Sequence, residues 1–136
     1  MRHQLLVGLG AGFVFLVMDG LIHANPMAKK VYAVYISLAR QSVNALAGSA
    51  IDLAYGIALT FLFSTLSPSL PGRSSMAKAM MFGLIVWFFR VVMNVAGEWV
   101  STTVPPETHF YTLLTGLAQV LLVSAFIGWL VRPASV

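Results

Sequence analysis

The sequence predicts an all-α fold: a four-helix transmembrane bundle, with one interfacial helix between the first and second spans. Three observations predict it. The 136-residue chain is 59% hydrophobic and 9% charged, whereas a soluble domain carries about a quarter charged residues. Its mean hydropathy of +0.88 implies more apolar surface than a water-soluble fold of this length can hide, so lipid is the expected solvent. Four stretches each supply the roughly 20 apolar residues that a bilayer core requires. The prolines fall between or after them, at Pro26, Pro68, Pro71, Pro105, Pro106 and Pro133. The expectation is a single transmembrane domain over residues 1–136.

The first span runs over about residues 5–24. Arg2 ahead of it and Ile22-His23-Ala24 at its end mimic a signal peptide. Asp19 interrupts the apolar stretch, so a retained span is expected. Residues 25–44 then form the only sizeable connection. Asn25 before Pro26 is a helix start. Val31, Val34 and Leu38 share one face beside Tyr32 and Tyr35. An interfacial helix over about 27–43 follows, its tyrosines at headgroup level. The second span covers about 45–66, the third about 77–100 and the fourth about 109–131. The loops at 67–76 and 101–108 are short and turn-rich.

Orientation follows the basic loop residues. With the N-terminus inside, the cytoplasmic side holds Arg2, Arg73, Lys78 and Arg132; the other side holds Lys29, Lys30 and Arg40, with Glu107 and Glu98. Both termini are therefore expected in the cytoplasm. No run of Lys or Arg suggests a nucleic-acid arm. The absence of cysteine removes disulfides, thiolate metal sites, iron–sulfur clusters and cysteine nucleophiles.

The polar residues inside the spans fall into layers. Asp52, Arg90 and Gln119 lie about ten residues, or about 15 Å, from the outer ends of their spans. Asp19, Asn94 and Thr115 lie about a turn and a half in, and His23, Glu98 and His109 sit near the outer surface. On a regular helix Gly83, Trp87, Arg90, Asn94 and Glu98 form one stripe, and Ile85, Phe88, Val92 and Val95 form a lipid-facing one. Gly8 and Gly12 form a GxxxG packing stripe, continued by Phe15, Asp19 and His23. The second span aligns Asn44, Gly48, Asp52, Gly56 and Thr60. An unpaired arginine at mid-bilayer costs about 2.5–3.5 kcal/mol on insertion scales. Arg90 is accordingly expected to pair with Asp52, or with Asp19, within a buried polar network of Asp19, Asp52, Arg90, Asn94 and Gln119.

That network admits a structural reading, in which polar residues staple the helices in register, and a functional one, a path for a proton or small solute. His23, Glu98 and His109 form a second constellation, a possible outer-face ligand cluster for haem or a metal ion. No Glu-x-x-His or His-x-x-x-His pair supports it. No nucleophile elbow, phosphate loop or recognised catalytic set is present, so no catalytic residue is assigned.

The stretches "GLGAGFVFLVMDGLIH", "FGLIVWFF" and "LTGLAQVLLVSAFIGWLVRP" give the chain a resemblance to small four-helix bacterial membrane proteins without an agreed activity. The resemblance implies the four-span fold and a bacterial inner-membrane setting, and carries over no functional residue. The functional expectation is an accessory or assembly subunit, or a scaffold, of a larger membrane complex. Its partners would be the lipid bilayer and other membrane subunits or further copies of itself. The alternatives are a small-solute or proton carrier, and a haem or metal binder.

Overall fold

The computed structural model describes residues 1–39, 42 and 44–131. Arg40 and Arg132, which enter the charge balance, lie outside the described residues, as do Pro133 and part of the expected interfacial helix. Every regular element of the described chain is helical, in the order α1 (Arg2–Ala24), α2 (Pro26–Val31), a 3-10 segment (Tyr32–Leu38), α3 (Ala45–Leu66), α4 (Ser75–Trp87), a π-helical segment (Phe88–Val92), α5 (Met93–Ser101) and α6 (Pro106–Leu130). α4, the π segment and α5 form one continuous rod, Ser75–Ser101. The four long helices have 23, 22, 27 and 25 residues and are apolar enough to cross a membrane. At about 1.5 Å per residue each exceeds a hydrocarbon core of about 30 Å.

The helix starts follow from local side chains. Asn25 Oδ1 accepts from the Ala28 amide at 2.9 Å, with Pro26 at the first helical position. Asn44 Oδ1 caps α3 through the Ala47 amide at 3.0 Å, and Ser74 Oγ caps α4 through the Ala77 amide at 3.1 Å. The loop between α3 and α4 is tied down by Lys78, whose Nζ donates to the Ser67 carbonyl at 2.8 Å.

Packing divides the long helices into two pairs. α1 lies along α3, and α4 lies along α6; α1 and α6 join the pairs. The α1–α3 seam is made of glycine. A Cβ on Gly56 would collide with the backbone of Gly12 and Gly8, and one on Gly12 with the backbone of Leu53 and Asp52. The GxxxG stripe therefore serves the close approach the sequence suggested. Among the described residues nothing lies within 4 Å of the Cβ position of Gly48, which takes no part in the seam. The core combines Val7, Ala11 and Phe15 from α1, Leu59 and Phe63 from α3, Phe82 from α4, and Val123 and Ile127 from α6.

Two expectations are corrected. The connection after α1 is not one α-helix over its described residues, because α2 ends at Val31 and the chain is extended again at Ala39. It tightens into a 3-10 segment at Tyr32, where residues three apart stack along one edge. Tyr32 and Tyr35 thus reach in the same direction, towards α5 and α6. The third long helix also departs from a regular α-helix. The π turn inserts one extra residue, which sets everything after it back by about 100°. Gly83 and Val91 are buried, and so is Val95, which was expected to face lipid. Arg90 and Asn94 leave that line and become exposed, while Ile85 and Phe88 face outwards as expected.

Candidate functional site

The open side of the molecule, between α3 and the α4–α5 rod, carries most of the polar residues that the sequence singled out. The π turn aims Arg90 across at α1 and α3. Its guanidinium carbon lies 4.7 Å from the centroid of the Phe15 ring and 4.9 Å from that of Tyr55. The two rings are themselves 5.1 Å apart. The cation therefore rests on the negative faces of two aromatics, a contact worth about 0.5–2 kcal/mol depending on desolvation.

This replaces the expected ion pair. Among the described residues no carboxylate comes within 4.0 Å of Arg90. The reason is depth. Asp19 lies four residues beyond Phe15 on α1, and Asp52 three residues before Tyr55 on the antiparallel α3. Both carboxylates are thus about one turn, roughly 5 Å, nearer the connection end than the rings that hold the cation. Asp52 remains within electrostatic reach of Asp19, Arg90 and His23.

The five residues expected to make one buried network are distributed differently. Gln119 is buried and donates from Nε2 to the Phe15 carbonyl at 3.3 Å. Asp19 and Asp52 are half-buried, and Arg90 and Asn94 exposed. Among the described residues no hydrogen bond links the five side chains to one another. Asp19, Arg90, Thr115 and Gln119 instead line a cavity of about 140 Å³ together with His23, Tyr32 and Thr112. His23, Tyr32 and Thr112 also line a wider cavity of about 450 Å³, with Tyr35, Asn94 and Glu98. The shared walls make one polar cleft, from the middle of α4–α5 to its end.

The 25–39 connection straps across the mouth of this cleft. Asn25 Nδ2 lies 2.8 Å from the Tyr111 hydroxyl, which donates to the Ile22 carbonyl at 2.8 Å. Thr108 donates to the Val31 carbonyl at 2.6 Å, and the Tyr32 and Thr112 hydroxyls are 3.2 Å apart. Tyr35 donates to Glu98 Oε1 at 2.5 Å. Burial first, then the hydrogen bond and charge of Glu98, push the Tyr35 hydroxyl above its ordinary range. It therefore stays protonated, and a donor, across neutral pH.

The outer-face constellation is divided. Glu98 Oε2 lies 3.6 Å from His109 Nδ1, beyond hydrogen-bond range. His23 stands apart. Its Nδ1 donates to the Asp19 carbonyl at 2.9 Å, and its ring stacks on Tyr32 at 5.4 Å. Among the described residues no three His, Asp or Glu side chains converge to hold a metal ion. His109 is buried, and among the described residues neither of its ring nitrogens has a hydrogen-bond partner. A buried polar group left so costs about 1–3 kcal/mol.

Tyr35 and Tyr32 are the residues that sequence reasoning placed only at the membrane surface. The available signal was their spacing of three, which a 3-10 turn converts into one edge. No protein-family model, curated protein or solved structure matches the chain, and the resemblance to small four-helix bacterial membrane proteins draws no support from those comparisons.

Proposed function

We propose that the chain is a polytopic protein of a bacterial inner membrane, both termini cytoplasmic, that serves as an accessory or assembly subunit or scaffold of a larger membrane complex. The strap of residues 25–39 then lies at the outer surface. One observation carries this reading: Arg90, halfway along the α4–α5 rod, is exposed on the open side of the molecule. Lipid suits the exposed Leu, Phe and Met side chains, but a guanidinium at that depth gains from polar atoms that lipid tails lack. A neighbouring subunit, or a second copy packed against the α3 and α5 edges, supplies them.

Purification in mild detergent followed by mass spectrometry tests the proposal. The expected result is a stable assembly, with Arg90→Met releasing the chain from it while helix content is kept. A wild-type protein that always runs alone as a monomer rejects it.

The polar cleft favours a second reading, a carrier for a proton or small solute. Its support is the shared lining of the two cavities by His23, Tyr32 and Thr112. On this reading Arg90→Met abolishes flux into liposomes containing the purified protein alone. Flux that is absent from the wild type sinks it.

A further inference from the structure

Phe15 and Tyr55 attract the Arg90 guanidinium by their ring faces, which leaves its N–H donors unused. Among the described residues no hydrogen bond, and no carboxylate within 4.0 Å, takes up those donors. About one turn, roughly 5 Å, nearer the strap stand the half-buried carboxylates of Asp19 and Asp52, one from α1 and one from α3. They lie within electrostatic reach of each other. Among the described residues His23 is the only basic side chain within 4.0 Å of either. The open side of the molecule thus carries charge in two layers, carboxylates nearer the strap and an exposed guanidinium deeper in. The cavity of about 140 Å³ that Asp19 and Arg90 share with Thr115 and Gln119 joins the layers by a polar wall.

A ligand of one sign satisfies only one layer. An anion reaches Arg90 past two carboxylates, and a cation leaves the guanidinium bare. A zwitterion meets both, with its cation nearer the strap and its anion deeper. The way in favours a lipid over a dissolved solute. The strap crosses the end of the cleft, held by Thr108, Tyr111 and Glu98, while the flank is open. Gly48, one turn before Asp52 on α3, and Gly97, one turn beyond Asn94 on the rod, have nothing within 4 Å of their Cβ positions among the described residues. A headgroup can enter there sideways and leave its chains outside, beside the exposed Ile51, Phe89 and Met93. In the leaflet at the strap end, the amine of a zwitterionic phospholipid lies nearer water than its phosphate, the same order as the two layers. In phosphatidylethanolamine two carbons part the phosphate ester from the ammonium, a reach comparable with the offset of roughly 5 Å between carboxylates and guanidinium. Its ammonium keeps three N–H donors for carboxylates, which a trimethylated choline lacks. A guanidinium in turn grips a phosphate with paired N–H bonds.

We propose that the open side between α3 and the α4–α5 rod binds a phosphatidylethanolamine lipid, its phosphate on Arg90 and its ammonium between Asp19 and Asp52. Such binding requires neither a partner subunit nor flux, so it goes beyond both readings given above. The rest of the α3 and α5 edges stays free for a neighbouring subunit.

Native mass spectrometry of the full chain tests the site. The protein in detergent is offered an equimolar mixture of dioleoyl phosphatidylethanolamine, phosphatidylglycerol and phosphatidylcholine, and the retained lipid is read from its mass. The same spectra count protein subunits, so loss of lipid and loss of assembly are separate readings. The wild type should retain phosphatidylethanolamine about tenfold better than either competitor, a preference that one charge-assisted hydrogen bond can supply. Asp19→Asn combined with Asp52→Asn should let phosphatidylglycerol bind as well as phosphatidylethanolamine. Arg90→Gln should remove the retained lipid. Circular dichroism checks the helix content of each variant; should the double variant not fold, Asp52→Asn alone should narrow the preference by about threefold. Free phosphoethanolamine at the concentration of the lipid should not displace it. Equal retention of the three lipids by the wild type, or a preference for either competitor, overturns the proposal. So does a retention pattern left unchanged in any variant that folds. Displacement by free phosphoethanolamine overturns it too, and assigns the cleft to a dissolved solute.

Discussion

Gly56 and Gly48 occupy the same predicted stripe on α3, yet only one is needed as glycine. The backbone of α1 fills the space where a Gly56 side chain would begin, whereas among the described residues Gly48 faces nothing within 4 Å. Gly56→Val should lower stability by about 1–3 kcal/mol through overpacking. Gly48→Ala should be neutral or gain about 0.5–1 kcal/mol from helix propensity. Thermal unfolding midpoints in one detergent compare them. Tyr35 offers a second contrast. Its hydroxyl makes a bond to a carboxylate, a class worth about 1.5–3 kcal/mol. Tyr35→Phe should speed amide exchange over Tyr32–Leu38 by about tenfold or more while leaving the four long helices protected. Unchanged exchange there would mean that the other strap contacts suffice. At this scale the sequence was informative about type and depth. Counting residues put Glu98 and His109 at one level, and they do face each other. It could not tell that Arg90 would meet Phe15 and Tyr55, because a one-turn offset separates those rings from Asp19 and Asp52.

The π turn explains most of what was illegible among the elements. The four long helices, their glycine seam and their caps follow from apolar length, small-residue spacing and Asn or Ser at the starts. "WFFRVVM" contains no glycine or proline to mark a break, so a regular 3.6-residue count put Arg90 and Asn94 inward and Val95 outward. The extra residue reverses those assignments. It also makes an unusual forecast about deletions. Removing Phe89, exposed within the π segment, takes out the inserted residue and leaves later residues on their present faces. Removing Ala96 from regular α5 turns Glu98 by about 100° away from Tyr35 and His109. The chain lacks cysteine, so single cysteines at positions 94 and 95 report the faces cleanly. With Phe89 deleted, the residue corresponding to Asn94 should still label and that corresponding to Val95 should stay protected. Strong labelling at the latter would show that the π turn does not set the register.

The whole molecule is two helix pairs joined by α1 and α6 and bridged at one end by the strap. Its proposed orientation makes a simple forecast: in intact cells a cysteine at Thr103 reacts with a membrane-impermeant maleimide, and one at Arg73 does not. The inverse pattern would reverse the topology and put the strap in the cytoplasm. The strap itself imposes an order of events during synthesis. α1 and α3 are made first, and their glycine seam needs nothing that comes later. The anchors of the strap, Glu98, Thr108, Tyr111 and Thr112, belong to α5 and α6. The Tyr32 and Tyr35 hydroxyls must therefore wait for their partners until the C-terminal half of the chain has been inserted. A ribosome that stalls before α6 leaves behind a closed hairpin with a loose sticky flap, open to capture by whatever quality-control factor patrols that face of the membrane.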